Sequence, residues 1–251
     1  VFYDKQLVAH ESIANRRLIY KKKMDATSIP PTPATDEAFI PPTPATDAIN
    51  RVRTFSPDKS APGSRAAGQA IIRAIEPQYP LVFLDVRDEL SEQAIVQGKQ
   101  SNAEAQVARD IVANLLARGV ELQEIGIIAP YRAQVANIRR HLFSADPVYD
   151  WQGLPSDAPI SVDTVDRFQG GERLVIIISF ATTRELSVES QRYTFLTNPN
   201  RLNVALTRAQ RKLILVGCVP ALEHLPMFDR LITYCRSMNT LIASDLHPPT
   251  A

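Results

Sequence analysis

The sequence predicts an α/β fold, a mostly parallel sheet with helices on both faces. Three observations carry this. Apolar runs such as Leu174–Ser179, "LVIIIS", and Leu213–Val216, "LILV", show no polar alternation, the pattern of strands buried on both sides. Between such runs lie segments whose apolar residues recur at helical spacing. The two kinds of segment alternate along the chain, as parallel pairing through helical crossovers requires.

The elements follow in order. Met24 to Pro80 is compositionally distinct: "IPPTPATD" stands at Ile29–Asp36 and again at Ile40–Asp47. Such a Pro/Thr repeat builds no core of its own and reads as an insertion or linker, solvated or docking a polyproline-binding partner. "LVFLDV" (Leu81–Val86) is the first clear strand. Ser101–Gly119 is a helix with Val107, Ile111, Val112, Leu115 and Leu116 on one face. Ser101 and Glu104 have the spacing of a capping box, and Gly119 suits the stop. "IGIIA" (Ile125–Ala129) is a strand, Arg132–Leu142 a helix, and Ile160–Val165 and Leu174–Ser179 are strands. Asn200–Arg208 is a short helix leading into the buried run ending at Gly217, and Met227–Met238 is a closing helix. In parallel sheets ligands gather at the carboxyl ends of the strands, here the loops after Ala129, Val165, Ser179 and Gly217.

Length and composition narrow the function. The 251 residues allow one large domain or a domain with an appendage, and 45% apolar content supplies a core. A net charge of +1 announces no nucleic-acid binder, although charge can still be grouped locally. Cys218 and Cys235 lack metal-ligand spacing, which argues against structural zinc and fits a reducing compartment, the cytoplasm, or the nucleus of a eukaryotic cell. No apolar run reaches the length of a membrane span, and the first ten residues have no signal-peptide core. The chain opens without Met, which suggests part of a longer protein. His10, His141, His224 and His247 are scattered and offer no nucleophile–base pair for a small-molecule enzyme.

Two stretches carry chemistry. In "SVDTVDRFQGGERLVIIIS" (Ser161–Ser179) a strand ends, paired glycines follow, and Glu172 stands before the next strand. Gly170 and Gly171 allow close approach of a ligand to the main chain, and Glu172 could accept from a ribose hydroxyl. Taken alone, the stretch reads as a plain glycine turn with a solvated carboxylate. In "NPNRLNVALTRAQRKLILVG" (Asn198–Gly217), Arg208 falls at the junction of helix and strand. It could brace the helix terminus, pair with a carboxylate or reach a phosphate. Arg201, at the start of that helix, has the wrong sign for the dipole and should pair with a carboxylate or face solvent.

Together, "IGIIAPYRAQVANIRRHL", "VDTVDRFQGGERLVIIIS" and "NRLNVALTRAQRKLILVG" occur in order and at domain-scale spacing. The chain thereby resembles the C-terminal RecA-like motor domain of Upf1-like superfamily 1 helicases, the branch of nonsense-mediated-decay helicases and replication helicase–nucleases. The resemblance covers Leu81 to about Leu222, with a short match at Phe2–Leu7. It implies that Arg208 is an arginine finger, crossing an interdomain cleft to the γ-phosphate of ATP. It implies that Glu172 contacts the ribose, that Gly170 lies near the phosphates and that Gln169 links nucleotide state to nucleic-acid grip. Thr164 would touch the nucleic-acid backbone, with Pro130, Tyr131 and Gln134 near its path. Arg201, counted with the cofactor-binding set, and Asn203, counted with the nucleic-acid set, would shape the motif that holds the finger. The implied cofactors are ATP and Mg²⁺, the metal held mainly by an N-terminal RecA-like domain of the same parent chain. The implied ligand is single-stranded DNA or RNA.

The chain also departs from the family pattern. It has no G-x-x-x-x-G-K-[ST] and no D-E-x-[AQ] box, so by itself it is expected to hydrolyse no ATP. Thr182 stands where the family often has arginine, with Arg184 two residues later. The expected layout is residues 1–23 as the edge of the domain, 24–80 as the insertion, 81–240 as the second RecA-like domain and 241–251 as a tail. The expected function is half of an ATP-dependent helicase motor. Its rival is a catalytically decayed helicase module kept as a nucleic-acid-binding or scaffold surface.

Overall fold

The computed structural model describes residues 2–3, 6–7, 64–87, 92–95, 98–143, 160–168, 171–182 and 195–244. Both copies of "IPPTPATD", and Gln169 and Gly170, lie outside them. Strands β1 (Phe2–Tyr3) and β2 (Gln6–Leu7) form a small antiparallel pair. Helix α1 (Ser64–Ala74) leads to β3 (Leu81–Val86). An antiparallel hairpin, β4 (Glu92–Ile95) and β5 (Gly98–Ser101), precedes α2 (Asn102–Ala117). Then come β6 (Ile125–Ala129), α3 (Arg132–Phe143), β7 (Ser161–Thr164) and β8 (Arg173–Ser179). The chain continues through α4 (Pro199–Leu206), β9 (Ala209–Gly217), α5 (Val219–Leu222), α6 (Pro226–Ser237) and β10 (Leu241–Ser244).

The main sheet has six strands in the order β10–β3–β9–β8–β6–β7, and every neighbouring pair is parallel. Side chains alternate across it. Val175 and Ile177 of β8 pack with α1, α2 and α3 on one face, while Ile176 and Ile178 pack with α4, α5 and α6 on the other. Each fully buried aliphatic side chain of this kind contributes about 1.5–3 kcal/mol. Double burial explains why the strands read as unbroken apolar runs.

Local signals set the helix ends. Ser101 caps α2, its hydroxyl accepting from the Glu104 amide at 3.2 Å. The stop at Gly119 is a Schellman turn: φ is 85°, Val120 N donates to Leu115 O and Gly119 N to Leu116 O. Asn198 caps α4, accepting from the amides of Asn200 and Arg201.

The structure corrects two boundaries. Residues 64–80, assigned to the insertion, include α1, and Ala70, Ile71, Ala74 and Ile75 are buried in the core. That stripe has helical spacing, but it is short and follows directly on the Pro-rich stretch. The tail assigned to 241–251 begins with β10, which pairs with β3 as an edge strand of the sheet. Four residues with one buried position after a helix gave too little pattern to read.

One connection is unusual. β7 and β8 flank β6 and run parallel to it, yet only residues 165–172 join them. The connection packs Val165 and Phe168 on the α4–α6 face. Gly126, in the middle of an apolar strand, makes room. A Cβ there would stand 2.5 Å from Phe168 Cζ and 2.8 Å from Ile176 Cδ1.

Candidate functional site

The residues singled out from the sequence divide between opposite edges of the sheet. At about 3.3 Å per residue, the seven residues of β8 separate the edges by about 20 Å. Arg208 and Glu172 lie at the amino edge; Pro130, Tyr131, Gln134 and Thr164 lie at the carboxyl edge, and Arg201, in the first turn of α4, pairs with Asp166 two residues past Thr164. The sequence pointed to carboxyl-end loops as the ligand site, and for Arg208 and Glu172 the structure corrects this. Both immediately precede the strands they introduce, since Arg173 and Ala209 are register partners at the start of β8 and β9.

At the amino edge, α4 ends at Leu206 and Thr207 turns the chain, its hydroxyl donating to Val204 O at 3.0 Å. Arg208 folds back on the same carbonyl, with Nε donating to Val204 O at 3.0 Å. That is the brace at a helix terminus that the sequence allowed. It uses only Nε. Among the described residues the terminal nitrogens of Arg208 have no hydrogen-bond or ion-pair partner, so the fork stays open. The Arg208 carbonyl accepts from Arg173 N at 3.1 Å, which stitches the Arg208 backbone to the start of β8.

Glu172 is exposed just before the neighbouring strand and accepts from Gln210 Nε2 at 3.4 Å. Gln210 belongs to a bulge: β9 spends three steps from Ala209 to Lys212 where β8 spends two from Arg173 to Val175. Both Gln210 and Arg211 are thereby exposed, and bulges at a sheet edge commonly re-aim side chains in this way. The Gly171 amide donates to Phe168 O at 3.1 Å, so the loop itself uses that amide. Gln169 and Gly170 lie outside the described residues.

Arg201 pairs with Asp166 at 3.5 Å, one of the outcomes expected from its place in the helix. This ties α4 to the connection between β7 and β8. Asn203 is half-buried, and its Oδ1 is buried without a hydrogen-bond partner among the described residues.

At the carboxyl edge, Ala129 and Thr164 are register partners, so Pro130–Tyr131 and Thr164 leave the sheet side by side. Pro130, Tyr131 and Thr164 are all partly exposed. Arg139 holds this corner from α3, donating to Val162 O from Nε at 3.2 Å and from a terminal nitrogen at 2.6 Å. Gln134 is different, being fully buried. Its Oε1 accepts from Ser101 N at 2.8 Å, and its Nε2 donates to Ser101 O at 3.2 Å and Ser179 Oγ at 2.9 Å. With both amide atoms bonded it supports the loops from behind, which corrects its assignment to the nucleic-acid surface. Thr182 is likewise buried, its hydroxyl donating to Phe180 O.

Glu104 completes this corner and was read from the sequence only as half of a capping box. The other half does not form, because Ser101 N donates to Gln134 instead. The Glu104 carboxylate turns to β8, accepting from Ser179 Oγ at 2.7 Å and Ala181 N at 2.9 Å. Ala181 has φ 52°, a left-handed conformation costly for a residue with a Cβ, and Glu104 helps hold it there. The sequence also gave no warning of Arg173 or Phe168. Gly126 was the one available signal, since a glycine inside a strand often marks a close approach.

A doubly covered parallel sheet with an open arginine fork at one edge and a loop corner at the other defines a RecA-like α/β domain. A family model described as "AAA domain" matches residues 1–220. The putative helicase MOV-10 of Gallus gallus is 41% identical over 169 residues, which are 62% of this chain and 17% of the relative. The DNA replication ATP-dependent helicase/nuclease DNA2 of Bos taurus is 33% identical over 173 residues, 68% of this chain and 15% of the relative. The RNA helicase Mov10l1 of Homo sapiens is 35% identical over 175 residues, 68% of this chain and 14% of the relative. The chain belongs to the AAA domain family, among the Upf1-like superfamily 1 helicases. It spans only 14 to 17% of the length of these relatives. Among the described residues, no helix is long and apolar enough to cross a membrane.

Proposed function

We propose that this chain is the second RecA-like half of an ATP-driven motor that moves along single-stranded DNA or RNA. The observation that carries the reading is Arg208: its Nε is anchored on Val204 O while its terminal nitrogens have no partner among the described residues. A guanidinium held in this way presents a rigid fork matched to phosphate oxygens. An N-terminal RecA-like domain of the same parent chain holds ATP and most of the Mg²⁺ coordination, and Arg208 crosses to the γ-phosphate as the cleft closes. Its charge stabilises the transferring phosphoryl group in the transition state. Glu172 accepts from the ribose, with Gln169 and Gly170 beside the phosphates. Arg201 and Asn203 shape the helix that carries the finger. Thr164, Pro130 and Tyr131 meet the nucleic-acid backbone, and Gln134 keeps their loops in place. Closure on ATP and opening after hydrolysis then move the two domains along the strand.

The test is Arg208→Ala in a protein carrying both motor domains, with turnover, nucleotide affinity and melting temperature measured on one preparation. Turnover is expected to fall about 10³-fold, with nucleotide affinity within a few-fold and melting unchanged. Near-normal turnover with a lowered melting temperature would make Arg208 a brace and favour a decayed module. The 251-residue chain alone is expected to hydrolyse no ATP above background in a steady-state assay.

A further inference from the structure

We propose that Arg173 is a positioning residue that couples the nucleotide edge of the sheet to the strand bearing the nucleic-acid contact. This rests on the reading of Glu172 and Arg208 given above. The Arg173 amide donates to Arg208 O at 3.1 Å. One terminal nitrogen donates to Glu172 O at 2.8 Å, and the other to Ser161 Oγ at 2.7 Å. The backbones of the finger and of the ribose-binding carboxylate are thus both held by Arg173. Ser161 opens β7, and β7 closes on Thr164.

To reach Ser161 the side chain must pass β6, which lies between β8 and β7. It does so at Gly126, the register partner of Ser161 on one side and Ile176 on the other. A Cβ on Gly126 would stand 3.1 Å from Arg173 Cγ. The guanidinium carbon lies 5.7 Å from the centre of the Phe168 ring, which packs over the same glycine. The missing side chain of Gly126 therefore makes a channel filled by Arg173 and Phe168 together. Among the described residues Arg173 Nε is buried there without a hydrogen-bond partner. Leaving a buried N–H unmade is costly, so the reach to Ser161 and Glu172 O sets the conformation. A shift of β7 when Thr164 meets nucleic acid would pull on Ser161. Through Arg173 it would move the main chain at Glu172 and Arg208. A plain brace of the fold would show no such coupling.

The experiment uses the two-domain protein and measures ATP turnover, KM for ATP and melting, each without and with a single-stranded oligonucleotide. The variants are Ser161→Ala, Arg173→Lys and Arg208→Ala, with dT and U homopolymers in separate arms. Ser161→Ala is expected to keep the unstimulated rate and the melting temperature while losing about fivefold or more of the oligonucleotide stimulation. Arg173→Lys is expected to lose the stimulation and to raise KM for ATP about fivefold, because an ammonium cannot fork to both acceptors. Wild-type stimulation of both variants, with turnover abolished by Arg208→Ala, overturns the coupling role and leaves the nucleotide site standing. A lowered melting temperature with unchanged kinetics per folded molecule overturns it in the same way. Turnover surviving Arg208→Ala removes the site reading and the coupling with it.

Discussion

The two edges of the sheet are built from different materials. At the amino edge, Glu172 is exposed and Arg208 half-buried, and long cationic side chains hold the structure: Arg208 on Val204, Arg173 on Ser161, Lys212 on the turn before β3. At the carboxyl edge, Glu104, Gln134, Asn137, Ser179 and Thr182 are fully buried and bond one another or nearby main-chain carbonyls. A buried network of this kind rigidifies its surroundings and is costly to disturb. Arg208, half-buried and bonded through Nε alone among the described residues, keeps its terminal nitrogens available to a further acceptor. Among the described residues, the amino edge leaves the terminal nitrogens of Arg208 unbonded, while at the carboxyl edge Gln134 and Ser179 are bonded through every side-chain polar atom, with Asn137 Oδ1 left over. Substitutions at the carboxyl edge should therefore register first in stability, and those at the amino edge first in kinetics.

Glu104→Ala is the largest test of the stability half of that contrast. It strips the acceptor from Ser179 Oγ and Ala181 N and leaves Ala181 in its left-handed conformation unaided. Unfolding in urea should show a loss of about 3 kcal/mol or more. A loss below about 1 kcal/mol would mean that water or another donor set replaces the carboxylate easily, and the contrast would fail.

Lys212 offers a smaller, pH-dependent test of the long arms. It is fully buried on β9, and its Nζ donates to Glu76 O at 2.9 Å and Tyr79 O at 2.5 Å. Burial pushes its ammonium down from 10.5 to about 7. Between those values the unfolded chain holds a proton that the folded chain releases, so folding becomes more favourable as pH rises. Below about 7 both states are protonated and the burial penalty is fully present. Relative to Lys212→Met, the wild type should gain stability from pH 7 to pH 9, by up to about 1.4 kcal/mol per pH unit. Denaturant midpoints of both proteins across that range measure the difference. A flat difference would mean that the two carbonyls keep the ammonium charged throughout.

Much of this contrast was invisible in the sequence. Local pattern located Leu81–Val86 and Ile125–Ala129 to the residue, the cap at Ser101 and the stop at Gly119. It also placed Arg208 at a helix–strand junction. It missed α1, the β4–β5 hairpin, α5 and β10, which are short or adjoin biased composition. Assigning residues to edges needs strand direction and order, which periodicity does not carry. Glu104 and Ser179 meet across 75 positions of sequence, and Gln134 and Ser101 across 33. Nothing local in "SNAEA" says that the glutamate will abandon its own helix cap for another strand.

The smallest expected effect belongs to Arg201, and it separates two uses of an exposed cation. Arg201 and Asp166 stand 3.5 Å apart with side chains 51% and 65% exposed. Water and salt screen such a pair, and holding two long side chains costs entropy, so the pair should contribute below about 0.5 kcal/mol. Arg201→Ala should therefore leave unfolding in urea almost unchanged. If the pair only links α4 to the connection behind it, Asp166→Ala should reproduce every kinetic effect of Arg201→Ala. If Arg201 itself reaches nucleotide in the closed state, Arg201→Ala alone should weaken nucleotide binding. Asp166→Ala, by releasing the guanidinium, should leave that binding equal or tighter. Titration of a fluorescent ATP analogue against both variants of the two-domain protein distinguishes these outcomes. Equal weakening by both would assign Arg201 to the scaffold and remove it from the nucleotide-binding set.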